Sequence, residues 1–158
     1  MIRTEDRNPA SLKLRLATEN DKTIVLEFVR QYHDYDNVPF DETITKSALK
    51  PLLGHTDAGR IWLIDLDGST IGYIALCFGY SIEFGGRDAF VEEIYLLKEH
   101  RGKGAGRAVL EDVLSKARKL GVKALHLEVD RRNERARHLY SSLGFSLRER
   151  YHLMSLLL

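Results

Sequence analysis

Residues 90–110 read FVEEIYLLKEHRGKGAGRAVL, an apolar run followed by a glycine-rich segment and then by apolar residues at helical spacing. The apolar run predicts a strand, and the last residues predict the beginning of a helix. Between them Gly102, Gly104 and Gly106 occupy every second position. Glycine costs about 0.5–1 kcal/mol relative to alanine inside regular structure. We therefore expect these glycines to permit a particular backbone conformation or the binding of a ligand.

The beginning of a helix is a natural site for an anion, because its first N–H groups lack backbone partners and the helix dipole is positive there. Glycines at this point permit positive φ angles and leave no β-carbon between the amides and a phosphate. Arg101, Lys103 and Arg107 add cationic side chains around the same segment. The segment therefore predicts a diphosphate site, and the alternative is a turn that merely joins strand to helix.

Spacing excludes two common phosphate-binding loops. Leu97 stands where a Walker A loop has its first glycine, and Gly104 stands where that loop has serine or threonine. A dinucleotide-binding G-x-G-x-x-G pattern fails as well, because Arg107 or Val109 occupies the place of its last glycine.

Upstream of this segment, the pattern predicts a strand, two helices and two further strands. LKLRLA (12–17) alternates as a half-buried strand, and Thr18 begins a helix that ends before Pro39. A second short helix is expected over residues 42–53. RIWLIDLDGST and IGYIALCFGY are two strand-forming runs that Asp67-Gly68 joins as a hairpin, and FVEEIYLL continues this antiparallel set.

Downstream, the pattern predicts a helix closed by Gly121, a strand over KALHLEVD, a short helix capped by Asn133 and a last strand over about residues 146–157. The strand FVEEIYLL, the helix after it and the strand KALHLEVD form a crossover unit. The two strands are therefore expected to run parallel. The fold class is α/β, or α+β with a mixed sheet, with helices on both faces. We expect one domain over residues 1–158.

Composition narrows the range of partners. The chain has 24 Lys and Arg against 23 Asp and Glu, so a net charge of +1 provides no long-range attraction for nucleic acid or a membrane surface. No apolar run approaches the ~18 residues of a transmembrane helix, and the first residues lack the apolar stretch of a signal peptide, so we expect a cytoplasmic protein. Cys77 is expected to be an inert thiol, and no metal is expected because the histidines show no ligand spacing.

The glycine segment resembles the signature of the GNAT acetyltransferase superfamily, which runs Arg or Gln, two residues, Gly, one residue, then Gly or Ala. A second family element, N-x-x-A-x-x-x-Y-x-x-x-G-F, follows the strand LHLEV. The matching residues are Arg101, Gly104, Gly106, Asn133, Ala136, Tyr140, Gly144 and Phe145. The resemblance implies a GNAT-like fold, with a mostly antiparallel sheet of about six to seven strands and a splayed parallel pair.

The resemblance also implies acetyl-CoA as the co-substrate. Its pyrophosphate is expected on the backbone amides of residues 102–107, which are Gly102, Lys103, Gly104, Ala105, Gly106 and Arg107, beside Arg101. Its pantetheine arm is expected to pair like an added strand with the backbone of Ile94, Tyr95 and Leu96. Asn133 has a structural role as a helix cap, and the resemblance adds contact with the cofactor.

Direct acetyl transfer to an amine needs a base, since an amine with a pKa near 10 is mostly protonated at neutral pH. Glu92 and Glu93 are the candidates, and simple alternation favours Glu92 because it shares a face with Ile94 and Leu96. An exposed structural carboxylate is the alternative for each. Tyr140 occupies the family's position for the general acid that protonates the leaving thiolate, the alternative being a core aromatic.

The acceptor is expected to be a small cationic amine, such as a polyamine, a basic amino acid or an amino sugar. The stretch QYHDYDNVPFDE (31–42), with Tyr35 and Asp36, combines acidic and aromatic side chains that suit a cation. Tyr80 and Glu83 in FGYSIEFGGRD are expected on the opposite wall. A protein or peptide amine is a second possibility, and a non-catalytic acyl-CoA-binding module is a third. The apolar end YHLMSLLL leaves a homodimer open.

Overall fold

The structure is a computed structural model that describes residues 11–158. Its sheet has five strands in the order β1-β2-β3-β4-β5. The strands are β1 (Leu12–Leu16), β2 (Gly59–Leu66), β3 (Ser69–Ser81), β4 (Gly86–Leu96) and β5 (Ala124–Leu127). The first four pair antiparallel and β5 pairs parallel with β4, which confirms the predicted mixed sheet.

Four α-helices accompany the sheet among the described residues. They are α1 (Lys22–Asp36), α2 (Glu42–Leu49), α3 (Ala105–Lys119) and α4 (Glu134–Ser142). Short 3-10 turns cover Glu19–Asp21, Lys50–Leu52 and Lys98–His100. None of the helices in residues 11–158 has the length and apolar character needed to cross a membrane. The chain divides into two compact units, the second of which is Glu128–Leu158.

Local chemistry explains the strand connections. Asp67 and Gly68 adopt φ angles of 50° and 82°, the left-handed pair that a two-residue hairpin requires between β2 and β3. The crossover from β4 through α3 returns to β5, with Gly121 at φ 76° just after the helix. These turns place β4 between β3 and β5, and the short 3-10 turn Lys98–His100 connects β4 to the glycine-rich segment.

The core of the first unit has two faces. On one face, α1 and α2 pack on alternate residues of the central strands, and Phe28 lies near Tyr73 and Tyr95 with ring centroids 6.2 Å apart in each case. Trp62, Ile64, Ile74 and Leu76 alternate with that set and therefore point to the opposite side. Helix α3 supplies a matching buried stripe of Val109, Leu110, Val113 and Ala117.

Asp21 ties β1 to the beginning of α1. Its carboxylate accepts from the Thr18 N–H at 2.9 Å and from Arg15 Nη2 at 2.9 Å. Hydrogen bonding to Arg15 is the main cause that lowers the pKa of Asp21 below its ordinary value of 3.8. A lowered folded-state pKa stabilises the protein above the ordinary value, and this stabilisation is lost as the pH falls through the lowered value.

Replacement of Asp21 with asparagine is therefore expected to destabilise the fold by ~1 kcal/mol at neutral pH, because it weakens the cap and removes the ion pair. The difference in free energy of unfolding from the wild type should shrink as the pH falls below about 4. Urea denaturation at several pH values measures this. Asp57→Asn, at a fully exposed side chain, is the control. A pH-independent difference would contradict the assignment.

Two strand predictions need correction. The strand expected over about residues 146–157 is wrong, since these residues form no strand and Leu153, Met154 and Leu156 are exposed. Strand β5 covers only Ala124–Leu127 of KALHLEVD. A strand exists only by pairing, and the second unit contains no other strand to pair with. The described sheet consequently has five strands rather than about six to seven.

Candidate active site

A β-bulge on β4 organises the carboxylates. Ala75 pairs with Glu93 and the next residue, Leu76, pairs with Val91, so Glu92 is the extra residue. A bulge breaks the simple alternation of side chains. The assignment of Glu92 and Glu93 to opposite faces, which rests on regular alternation, therefore does not apply at this point of the strand.

Glu93 is held by two partners from the α1 side of the sheet. The Tyr73 hydroxyl donates to its Oε2 at 2.6 Å, and His33 Nε2 lies 3.1 Å from its Oε1. The side chains of Glu93 and His33 are only 19% and 16% exposed. The carboxylate is thus fixed in a half-buried position, where hydrogen bonds are stronger than in water.

Tyr73 serves as a permanent donor to this carboxylate. Burial is the largest cause that raises its pKa far above the ordinary value, and the charge of Glu93 adds to the effect. The next tyrosine of the same cluster, Tyr95, donates to Gln31 Oε1 at 3.1 Å. The hydroxyls of both tyrosines are therefore engaged with polar groups rather than left unpaired in the core.

Glu92 is exposed, whereas Glu93 is half-buried. Burial raises the pKa of Cys77, and the charges of Glu92 and then Glu93 raise it further. The raised pKa makes Cys77 a poor nucleophile, as expected from the sequence.

The edge of β4 is open beyond its pairing with β5. The parallel pairs run from Asp88↔Ala124 to Val91↔Leu127, so residues 92–96 have no partner in β5. The Leu97 N–H donates to Ile71 O at 2.9 Å, which directs its backbone groups toward β3. By alternation those of Tyr95 also face β3, whereas those of Ile94 and Leu96 face the open edge.

The glycine-rich segment leaves the beginning of α3 uncapped and open. Gly104 is the N-cap residue at φ 88°, and it has no side chain with which to satisfy the first-turn amides. A β-carbon built on Gly104 meets no atom within 4 Å. Gly102 also has a positive φ, of 77°. No side chain caps the amides at this helix end, which include those of Ala105 and Gly106, and such an arrangement is typical of helix ends that bind anions.

The three basic residues of the segment differ in position. Arg101 turns back toward β4, where its Nε donates to Leu96 O at 2.7 Å. Its guanidinium lies 4.3 Å from the Tyr35 ring centroid and 5.1 Å from that of Tyr95. Arg107 pairs with Glu111 at 3.3 Å, and Lys103 is exposed. Arg101 thus fixes the path of the loop relative to the open edge.

The residues expected around the acceptor do not come together. Tyr35 lies against Arg101, and Asp36 is the exposed last residue of α1. Tyr80 lies five residues beyond Ala75 along β3, a separation of about 17 Å. Tyr80 and Glu83 are exposed near the far tip of the β3–β4 hairpin. The structure places Tyr35 near the end of β4 that carries the glycine loop and Tyr80 at its other end.

In the second unit, Asn133 caps α4 as expected. Its side-chain oxygen accepts from the Ala136 N–H at 3.1 Å. Tyr140 lies on the same helix, with its ring 6.0 Å from that of Phe145 in an edge-on arrangement. Burial raises the pKa of Tyr140, so its hydroxyl keeps its proton at neutral pH.

His33 and Tyr73 were not singled out from the sequence. His33 continues the i, i+4 series of Val25 and Val29, a spacing that places it on the inward face of α1. Tyr73 carries no signal that separates it from a core aromatic. Within residues 11–158 no three His, Cys, Asp or Glu side chains gather as ligands for a metal ion.

Comparison with known proteins finds a matching family and related chains. The model of the Acetyltransferase (GNAT) family matches residues 22–145. The chain is 28% identical over 144 residues to the thialysine N-epsilon-acetyltransferase of Bos taurus, covering 85% of this chain and 84% of the bovine protein.

Solved structures are similar as well. An integron cassette protein from the mobile metagenome of Cole Harbour Salt Marsh has a TM-score of 0.80 and 32% identity, covering 92% of this chain and 90% of that one. A predicted acetyltransferase of Clostridium acetobutylicum, solved with acetyl-CoA, has a TM-score of 0.75 over 92% of this chain and 96% of its own. At 14% identity, this second likeness concerns the fold alone.

Proposed function

This chain belongs to the GNAT acetyltransferase family, and we propose that it transfers the acetyl group of acetyl-CoA to the primary amine of a small cationic acceptor. The observation that carries the proposal is the beginning of α3, which has no side-chain cap and lies a short loop after the part of β4 that β5 does not pair. That part of β4 contains the bulge with Glu92 and Glu93, so an anion site, a strand edge and two carboxylates follow one another along a short stretch of chain.

The residues present fit acetyl-CoA. When bound, it supplies an acetyl group activated as a thioester. The amides of residues 102–107 would hold the pyrophosphate, since no β-carbon at Gly104 obstructs them. The outward backbone groups of Ile94 and Leu96 would bind the amide-containing arm as an added strand does. Arg101 already occupies Leu96 O, so it leaves the Leu96 N–H and both backbone groups of Ile94 for that role.

Glu92 is proposed as the base, with Glu93 as its fixed neighbour. The exposed carboxylate of Glu92 takes a proton from the acceptor ammonium, because only the neutral amine can attack a carbonyl carbon. Glu93 is held by Tyr73 and His33, and each of its oxygens retains a lone pair for a further donor such as the ammonium. Together the two carboxylates favour a cation at the bulge.

Tyr140 is proposed as the general acid and Asn133 as a further cofactor contact. A phenol whose pKa is raised by burial stays protonated, so it can hold a proton for the departing sulfur. Asn133 uses its side-chain oxygen for the cap, and its amide nitrogen is the group proposed to bind the cofactor.

Acidic side chains of this chain and the name of a relative both favour a cationic acceptor. Asp34 and Asp36 are exposed near the end of α1, while Asp41 caps α2 and Glu42 pairs with Lys46. The bovine relative is named for acetylation at the ε-nitrogen of thialysine, which is the primary amine of a basic amino acid. At 28% identity this supports the class of acceptor, and the individual compound is left to experiment.

A thiol-release assay with acetyl-CoA tests the proposal against a panel of amines: thialysine, lysine, a polyamine, an amino sugar and a peptide with a free N-terminus. We expect turnover with at least one small cationic amine, with one thiol released for each amine acetylated. Turnover with the peptide alone would favour a protein substrate. Binding of acetyl-CoA without turnover on any amine would instead support an acyl-CoA-binding module.

A further inference from the structure

His33 lies between two hydrogen-bond acceptors. Its Nδ1 is 3.1 Å from the carbonyl oxygen of Pro39, and its Nε2 is 3.1 Å from Glu93 Oε1. A carbonyl oxygen accepts only, and an ionised carboxylate also accepts only. A neutral imidazole has one N–H and cannot donate to both. Both contacts are hydrogen bonds only when the pair of His33 and Glu93 carries one proton more than a neutral imidazole and an ionised carboxylate.

Two arrangements satisfy both contacts, and they contain the same number of protons. In one, a doubly protonated imidazole donates to Pro39 O and to the Glu93 carboxylate. In the other, the proton lies on Glu93 Oε1, and Nε2 of the neutral ring accepts it. The second oxygen, Oε2, already accepts from the Tyr73 hydroxyl at 2.6 Å. The proton is thus confined to the line between Nε2 and Oε1.

Two aromatic rings flank this contact, whose two side chains are 16% and 19% exposed. The rings of Tyr32 and Phe40 lie 5.9 and 5.8 Å from that of His33. Tyr32 and Tyr95 act electrostatically on Tyr73, and Glu92 and Glu93 act on Cys77. The shared proton leaves His33 and Glu93 together without net charge.

We propose that His33 is a positioning residue, which holds Glu93 at the bulge through this shared proton and ties it to the loop between α1 and α2. The inference rests on the proposed function, in which Glu93 faces the acceptor amine. Without the proton, one of the two hydrogen bonds of His33 is lost. Either Glu93 then loses the donor at its Oε1, or the loop at Pro39 loses its contact with the His33 ring.

Two matched variants separate the two hydrogen bonds. The side-chain nitrogen of glutamine replaces Nε2 and can donate to Glu93, whereas that of asparagine replaces Nδ1 and can donate only to Pro39. At saturating acetyl-CoA, we expect His33→Asn to lower kcat/KM for the amine about tenfold and His33→Gln to remain within about threefold of the wild type. The KM for acetyl-CoA should stay constant in both. Equal effects of the two variants, or a common change in the acetyl-CoA KM, would overturn the proposal.

Nitrogen NMR of the His33 ring tests the proton itself in the free protein. We expect a hydrogen on Nδ1 and a second one shared between Nε2 and Glu93 at neutral pH. In Glu93→Gln the ring should become neutral, with its only hydrogen on Nδ1. A wild-type ring with its only hydrogen on Nε2 would overturn the proposal. The expected spectrum in a protein that acetylates no amine would refute the proposed function alone.

Discussion

Replacement of Glu92 with glutamine is expected to lower kcat for amine acetylation by about 10²-fold at neutral pH, while the Kd for acetyl-CoA stays unchanged. Glutamine preserves the size and hydrogen-bonding shape of the side chain but cannot accept the ammonium proton. The bulge residue Glu92 is the exposed one of the two carboxylates, whereas Glu93 is held by Tyr73 and His33. Steady-state kinetics and calorimetry measure the two quantities separately.

The pH dependence of kcat provides a second test of this prediction. An acceptor amine with a pKa near 10 becomes increasingly neutral as the pH rises, so it needs the base less. The deficit of Glu92→Gln relative to the wild type should therefore narrow between pH 7 and 9. Glu19→Gln, the same change at an exposed residue before α1, is the control and should leave kcat unchanged. Full activity in Glu92→Gln together with a large loss in Glu93→Gln would transfer the role of base to Glu93.

Replacement of Gly104 with valine is expected to raise the Kd for acetyl-CoA by at least about tenfold. Two effects act together. Gly104 has a φ of 88°, a region that a β-branched residue rarely adopts. The new side chain also extends into the open space over the first-turn amides of α3, where the pyrophosphate is proposed to lie. Calorimetric titration with coenzyme A or acetyl-CoA measures the change.

Gly121 provides a matched control at the other end of the same helix. It has a φ of 76°, and a β-carbon there also meets no atom within 4 Å. Gly121→Val should therefore introduce comparable backbone strain and lower the Tm to a similar extent, but leave the Kd for acetyl-CoA unchanged. Equal losses of affinity in the two variants would attribute the effect to stability rather than to the site. Unchanged affinity in Gly104→Val would contradict the placement of the phosphate.

Local chemistry made much of the fold predictable from the sequence. The hairpin at Asp67-Gly68, the cap at Asn133 and the glycine after α3 each follow from a conformation that few residues adopt. The parallel pairing of β4 and β5 follows from the crossover between them. The prediction of a strand over about residues 146–157 was wrong, because a sequence pattern does not show whether a neighbouring strand is there to pair with.

The segments that form the candidate site could be predicted from the sequence, but the arrangement of their side chains could not. The glycine loop and the strand before it were predictable from local residue patterns, and the positive φ angles at Gly102 and Gly104 agree with the expected backbone freedom. The bulge at Glu92 could not be predicted from the sequence, because it is visible only as a register shift between two paired strands. The contact of His33 with Glu93 joins residues 60 positions apart, and no local pattern encodes it.

The central claim is that the amides at the beginning of α3 and the open edge of β4 bind acetyl-CoA. Titration of nitrogen-15-labelled protein with acetyl-CoA, followed through the backbone amide resonances, tests it most directly. The account predicts that the largest shifts occur at Gly102, Gly104 and Gly106, with further shifts at Ile94 and Leu96. Saturable shifts confined to other parts of the chain, or none at all, would contradict it.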